Sequence, residues 1–401
     1  MDRRLPRWAE IKPLIKLRRP GFGPEARLAS AASIWDLRTI ARRRTPRAAF
    51  DYTDGAADEE ATLRHNRAAY RRVEFLPSVL RDVSDVDTST SLLGQPSSMP
   101  LALAPTGFTR MMQHEGEAAV ARAAARAGII YTLSTLGTSS PEDVAAAAPD
   151  LNRWFQLYLL QDPGSREELL ERARAAGYAA VVLTVDTPIA GARLRDVRNG
   201  LTIPPSLTWR TLLGMARHPA WWFNLLTTEP LEFASFRTFD GTVAELIAHV
   251  FDPSLSWSDV EWTRDQWDGP LVVKGIQSAE DARRAADHGA DAIVVSNHGG
   301  RQLDRVPSTF ELLPEVVDAV GDRVEVYVDG GIMDGADVVA AVAQGARAAF
   351  IGRAYLYGLM AGGEHGVDRA LEMFASGIAR TMQLLGVGSI AELNRGHIRI
   401  R

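Results

Sequence analysis

From Pro100 onward, short apolar or β-branched runs alternate with alanine-rich segments of helical period, a rhythm that restricts the fold more than any other feature of these 401 residues. Eight runs read as strands: Leu101–Thr106, Tyr131–Thr135, Trp154–Tyr158, Ala180–Asp186, Leu271–Gly275, Ala292–Asn297, Val324–Asp329 and Ala348–Gly352. Helical patterns fall between them at Glu117–Ala127, Arg166–Ala176, Ala279–His288 and Ala336–Gln344, each followed by a glycine suited to a left-handed C-cap. The expected fold class is α/β, a TIM (β/α)8 barrel. The strand pattern taken alone also admits an open doubly wound sheet.

Residues 1–99 read as an N-terminal helical segment and 100–401 as the barrel, with an insertion at 199–259 between strands four and five, all within one domain. In the N-terminal segment Ile34–Arg43 has an amphipathic helical pattern, and Asp51–Asp58 reads as a Gly/Asp break before a second, polar helix. An insertion on the C-terminal side of a barrel is where a lid or docking element sits. The first residues are basic, but Lys12, Pro13 and Lys16 interrupt the apolar run that a signal peptide needs, so a cytoplasmic start is expected. No stretch approaches the ~20 apolar residues of a spanning helix. A net charge of −5 gives no general attraction to nucleic acid, and the absence of cysteine excludes disulfides and thiolate chemistry.

Polar residues collect where the strands end, which is the active face of such a barrel. Strand one ends in Ala104-Pro105-Thr106-Gly107, strand two in Ser134-Thr135, and strand three carries Gln156 and Tyr158. Strand four ends in Thr184-Val185-Asp186, strand five delivers Lys274, and strand six runs into Ser296-Asn297-His298-Gly299-Gly300-Arg301-Gln302-Leu303-Asp304. His298 is the candidate general base, because an imidazole titrates near neutral pH and the flanking glycines leave room for a substrate. Arg301 can grip a carboxylate with two parallel hydrogen bonds beside that base. Asp186 can orient the imidazole, or it can cap a helix. Asp329-Gly330-Gly331 after strand seven and Gly352-Arg353 after strand eight supply backbone N–H groups and a cation for a phosphate. Lys274 suits the anionic edge of a reduced ring, or a plain strand-end ion pair. No Gly-x-Gly-x-x-Gly follows a strand, so a phosphate tail, a cation and a base together favour FMN over a dinucleotide.

At these residues the sequence resembles the FMN-dependent L-2-hydroxy acid oxidase and dehydrogenase family, a glycolate-oxidase-like group. The likeness runs from Phe50-Asp51-Tyr52 and Gly55-Ala56 to Gly352-Arg353, with the Ser296–Asp304 run as its most specific motif. Within the family it is most similar to the bacterial L-lactate dehydrogenases, through Phe251-Asp252-Pro253-Ser254-Leu255-Ser256-Trp257 and Gln266-Trp267-Asp268-Gly269-Pro270. The resemblance implies oxidation of an L-2-hydroxy acid, lactate to pyruvate first, with electrons passed to a quinone, a cytochrome or oxygen. An oxidase or monooxygenase acting on glycolate or a mandelate-like acid, and isomerase-type FMN chemistry, are the alternatives. The resemblance further implies His298 as base with Asp186 as its partner, Arg301 and Arg193 on the substrate carboxylate, and Tyr52 and Tyr158 on the carboxylate and the reacting oxygen. For FMN it implies Ala104, Pro105, Thr106, Gly107 and Ser134 near the ring and ribityl, and Gln156 and Thr184 on the pyrimidine edge. Lys274 and Ser296 would lie by N1 and O2, and Asp329, Gly330, Gly331, Met333, Gly352 and Arg353 at the tail. Many relatives carry arginine where this chain has Met333, which puts more of the phosphate on Arg353 and backbone amides. A homotetramer is also expected.

The insertion places Trp209, Leu212, Leu213, Met215, Trp221, Trp222 and Phe223 among Arg210, Arg217 and His218. That composition suits a segment lying in a membrane interface, peripheral on the inner face, or a lid or subunit contact rich in aromatics.

Overall fold

The computed structural model describes residues 4–14, 23–160, 162–200, 216–236 and 251–401. Its centre is a closed barrel of eight parallel strands, here numbered in chain order: β1 Leu101–Leu103, β2 Ile130–Ser134, β3 Arg153–Leu157, β4 Ala180–Thr184, β5 Leu271–Ile276, β6 Ala292–Val295, β7 Glu325–Asp329 and β8 Ala348–Ile351. Closure comes from β8 pairing with β1, Phe350 opposite Ala102 and Ile351 opposite Leu103. The open doubly wound sheet is thereby excluded. All eight expected strands are present, but several stop early: β1 at Leu103 rather than Thr106, β4 at Thr184 rather than Asp186, β6 at Val295 rather than Asn297. The residues beyond these ends leave the ladder to lie across the mouth of the barrel.

Strand alternation explains both the core and the site. Inward residues of the lower layers are Ala102, Ile130, Trp154, Ala180, Val182, Val272, Ala292, Val294, Tyr327, Ala348 and Phe350, all buried. Three are aromatic, with ring centroids 5.4–6.0 Å apart, and alanines on other strands make room for them. Further along six of the eight strands, β2 to β7, the inward position turns polar: Ser134, Gln156, Thr184, Lys274, Ser296 and Asp329. The opposite parity, with Leu133, Phe155, Leu183, Val273, Ile293 and Val328, packs under the outer helices.

The expected covering helices occur at Gly116–Ala127, Pro163–Ala175, Ala279–Asp287 and Gly335–Ala343. Ahead of the barrel lie α1 Ile34–Arg44, α2 Arg47–Asp54 and α3 Ala61–Arg71. Here one expectation fails: the Gly/Asp break is confined to residues 55–60, because Asp51 to Asp54 complete α2 and only the extended backbone at Gly55 ends it. Tyr52 therefore sits on a helix. α4, Leu194–Asn199, follows β4 and ends at Gly200 in the left-handed region. Within the insertion, α5 spans Pro219–Thr227, and a Ser256/Asp259 capping box starts the next barrel helix at Trp257, earlier than the expected boundary at Asp259. Trp209, Arg210, Leu212, Leu213 and Met215 lie outside the described residues. The last long helix, α6 Arg353–Leu385, packs against α1 and holds the N-terminal segment to the barrel.

Candidate active site

The polar inward layer floors a cavity of about 730 Å³ at the C-terminal mouth of the barrel. Tyr52, Ala104, Pro105, Thr106, Gly107, Ser134, Tyr158, Arg193, Lys274, His298, Arg301, Asp329, Gly330, Gly331, Met333, Gly352 and Arg353 line it. Of the remaining sequence-derived candidates, Gln156, Thr184 and Ser296 stand in the buried floor, and Asp186 lies behind His298.

His298 has φ +56°, and Gly299 and Gly300 follow in the same left-handed region. An imidazole held in such backbone persists only where surrounding contacts fix it. Its backbone N–H donates to Ser296 Oγ at 3.0 Å, and Gly300 N donates to Asn297 Oδ1 at 3.2 Å. Nδ1 of His298 meets Asp186 Oδ1 at 2.9 Å, which leaves Nε2 as the nitrogen free to take a proton. Burial alone raises the Asp186 carboxyl, but the charges of His298 and Lys274 and the hydrogen bond from His298 hold it below the ordinary carboxylate range.

Lys274 Nζ donates to Ser296 Oγ at 3.0 Å and pairs with Asp329 at 3.2 Å. Burial opposes its charge, and Asp329 with Asp186 outweighs that, so Lys274 stays above its usual range and cationic. The strand-end ion pair is present, and it stands at the cavity floor, so it does not exclude the other sequence reading.

Three guanidinium groups converge above. Arg193 and Arg301 lie 5.4 and 4.9 Å from the centre of the Tyr52 ring, one supplied by the loop after β4 and the other by the loop after β6. Arg301 Nη1 donates to Tyr52 O at 2.6 Å and Gly55 O at 3.2 Å. Burial, then the positive charge of Arg193, with Arg353 adding to it, pushes Arg301 down to about 10. A cluster of like charges of this kind is relieved by an anion. Arg353 is tied to the carbonyls of Thr53, Gly299 and Gly55 at 3.0, 2.9 and 2.7 Å. Tyr158 is buried, and its hydroxyl is held protonated first by that burial and then by the charge of Asp186.

Gly330 and Gly331 have φ of +95° and +86°, and a Cβ on Gly330 would come within 2.9 Å of Asn66 and Thr309. Only glycine fits that turn. Met333, where a cation is absent, is buried, and its N–H is held by Asp337 at 2.8 Å.

Three buried polar atoms in this floor have no hydrogen-bond partner among the described residues: Gln156 Nε2, Thr184 Oγ1 and Asp329 Oδ1. Groups like these are costly unless something pairs with them. Gln156 Oε1 already accepts from Ser134 Oγ and Thr135 N at 3.0 and 3.2 Å, so Nε2 is the donor left over. A donor, a hydroxyl and an ammonium along one floor match the oxygens and N–H of a flavin's pyrimidine edge. The glycine turns at the ends of β7 and β8 match its phosphate tail, and the residues fit FMN.

The contribution of α3 was missed from the sequence. Asn66 and Asn297 exchange two amide hydrogen bonds of 2.8 and 2.9 Å, and Arg67 Nη1 donates to Gly331 O at 2.7 Å. These partners are more than 200 positions apart, and no local pattern announces such a pairing.

Residues 41–400 match the family described as FMN-dependent dehydrogenase. A "Putative L-lactate dehydrogenase" of Mycobacterium tuberculosis is 55% identical over 399 residues, covering 99% of this chain and 96% of that one. An "L-lactate dehydrogenase" of Caulobacter vibrioides is 45% identical over 370 residues, covering 90% and 96%. Among solved structures, the monotopic membrane protein (S)-mandelate dehydrogenase superposes with a TM-score of 0.89 at 36% identity, covering 93% of this chain and all of that one.

Proposed function

Because the chain belongs to the FMN-dependent dehydrogenase family and is an FMN flavoprotein that oxidises a 2-hydroxy acid, we propose that its substrate is L-lactate and its product pyruvate. The observation that carries this reading is that His298, paired with Asp186, lines the same cavity as Tyr52 and its two flanking arginines, the arrangement a base beside a carboxylate site needs. Arg301 and Arg193 receive the substrate carboxylate with the Tyr52 hydroxyl, and the anion relieves their mutual repulsion. The Tyr158 hydroxyl donates to the substrate oxygen. Nε2 of His298 takes the hydroxyl proton, and Asp186 stabilises the imidazolium that results. FMN, when bound, accepts the two electrons and the hydrogen that leave carbon 2. Gln156, Thr184, Lys274 and Ser296 would hold its pyrimidine edge, Ala104 to Gly107 with Ser134 its ring and ribityl, and Asp329 to Gly331, Met333, Gly352 and Arg353 its phosphate.

The electron acceptor in this reading is a membrane quinone, reached from the cytoplasmic side by a peripheral contact. Support comes from α5, whose Phe223 and Leu226 are 67% and 62% exposed, and from the monotopic relative. No helix among the described residues is long and apolar enough to cross a membrane. Trp221 and Trp222, two of the aromatics that the sequence offers for a dock or a lid, face inward: Trp222 is buried, and Trp221 Nε1 donates to Met112 O at 3.3 Å. We read the whole chain as one catalytic unit that assembles as a homotetramer.

The deciding experiment is anaerobic flavin reduction by a panel of L-2-hydroxy acids, followed by re-oxidation with quinone or oxygen. L-Lactate should bleach the flavin fastest, and quinone should restore it faster than oxygen. Absence of bleaching by L-lactate, with another acid effective, would reassign the substrate.

A further inference from the structure

Tyr52 and Arg193, the two groups read above as meeting the substrate carboxylate from opposite sides, stand on separate elements. Tyr52 belongs to α2 of the N-terminal segment, and Arg193 to the loop between β4 and α4. Nothing in the barrel ladder registers one against the other. Burial opposes the charge of Arg193, and Tyr52 and then Asp196, whose carboxylate lies 3.9 Å from its Nε, outweigh that, so Arg193 stays cationic where the loop places it.

Two residues beyond Arg193 the chain crosses to the N-terminal segment. Arg195 Nη1 donates to Asp54 Oδ2 at 2.9 Å and Nη2 to Glu60 Oε2 at 2.5 Å. Its stem lies over Gly55, where a Cβ would approach the Arg195 Cδ to 3.2 Å. Asn199 adds a bond to Asp51 Oδ2 at 2.8 Å, and Asp58 N donates to Ala192 O at 2.8 Å. Asp54 is buried. Arg38 grips it from behind with bonds of 2.6 and 2.9 Å, and the Tyr357 hydroxyl donates at 2.8 Å. Burial opposes ionisation of Asp54, but the bonds from Arg38 and Tyr357 and the pairing with Arg195 hold it below the ordinary carboxylate range, so its charge is fixed.

We propose that Arg195 is a positioning residue, a latch that pins the loop after β4 to Asp54 and Glu60 and so holds Arg193 against Tyr52. It acts on the affinity for the substrate carboxylate through Arg193, not on the proton transfer at His298. The proposal rests on the reading of Arg193 and Tyr52 as the carboxylate site.

The test uses the FMN-loaded enzyme, with pyruvate binding followed by the change in flavin absorbance and flavin reduction by L-lactate followed by stopped flow. Arg195→Gln should raise the pyruvate dissociation constant and the L-lactate KM by about tenfold, a loss of ~1.4 kcal/mol. The reduction rate at saturating L-lactate should stay within about threefold, since a uniform loss of binding leaves kcat in place. Arg195→Lys should recover part of the affinity, because a point charge keeps the attraction but cannot span both carboxylates. Glu60→Gln, which leaves Asp54 paired, should raise both constants by a smaller factor and serves if Arg195→Gln fails to fold. Unchanged pyruvate affinity in Arg195→Gln and Glu60→Gln, or a fall in the saturated rate with affinity intact, would overturn the latch. If the parent enzyme binds pyruvate but no L-2-hydroxy acid reduces it, the proposed function fails, and pyruvate affinity still decides the latch.

Discussion

At Asp186 two opposed effects meet: burial favours the neutral carboxyl, while the charges of His298 and Lys274 favour the carboxylate. The charges win, so Asp186 remains an anion against the imidazole through the neutral range. Asp186→Asn should retain FMN and lose flavin reduction at saturating L-lactate by about 10³- to 10⁴-fold, as when a catalytic imidazole loses its carboxylate. The sign of the pH effect follows. Removing the counter-charge makes the imidazolium less favourable, so the acid limb of the reduction rate should move to lower pH. Stopped-flow rates across pH check both, and a limb that stays or moves upward would separate Asp186 from the base. Lys274 calls for a different measurement. An ammonium at the cofactor edge stabilises the reduced, more negative ring, so Lys274→Met should lower the flavin midpoint potential by about 30 mV or more, the two-electron equivalent of ~1.4 kcal/mol. A potential that holds or rises would move Lys274 off that edge. Most of these residues are legible in the sequence because a polar residue closing an apolar strand violates the local pattern. Asp54, Glu60 and Arg195 are not, because each is an unremarkable charge until the fold brings together positions more than 130 apart.

Among the elements, α5 shows how little composition says about direction. Its tryptophans suggest a membrane face, yet Trp222 is buried and packs edge-on against Trp221 at 4.9 Å, and the outward face is carried by Phe223 and Leu226. Phe223→Ser combined with Leu226→Ser should therefore reduce co-sedimentation with liposomes and slow quinone turnover, while turnover with a soluble dye persists. Equal loss with both acceptors would make α5 a lid or a structural element. The barrel strands were readable for a simpler reason: a run of four or five β-branched or apolar residues is complete in itself. Their ends were not, since a strand stops where its neighbour's backbone stops accepting bonds, which is a property of two segments. The misread stretch at Asp51–Asp58 has the same origin, for acidic and glycine-containing composition marks a break while the last turn of α2 is stabilised by Arg38 and Arg195 from elsewhere.

For the molecule as a whole, one group of apolar side chains exposed among the described residues draws on two segments distant in sequence. Val79 and Leu80 are 81% and 102% exposed, Leu384 is 73% exposed, and the bond from Ser78 N to Leu385 O at 3.0 Å puts their two segments side by side. Such a patch fits a subunit contact. If the proposed tetramer uses this patch, Val79→Glu with Leu80→Glu should shift the mass measured by light scattering to a smaller species, and unchanged mass would place the contact elsewhere. The barrel itself has a consequence in time. Its floor draws on strands from β2 to β7, the turn that matches a phosphate tail is completed only by Gly352 and Arg353, and the wall is sealed only when β8 meets β1. During synthesis from the N-terminus, the residues that hold one end of the cofactor leave the ribosome long before those that hold the other. The complete set of cofactor contacts therefore exists only once β8 has closed on β1, so cofactor loading is expected to follow that closure.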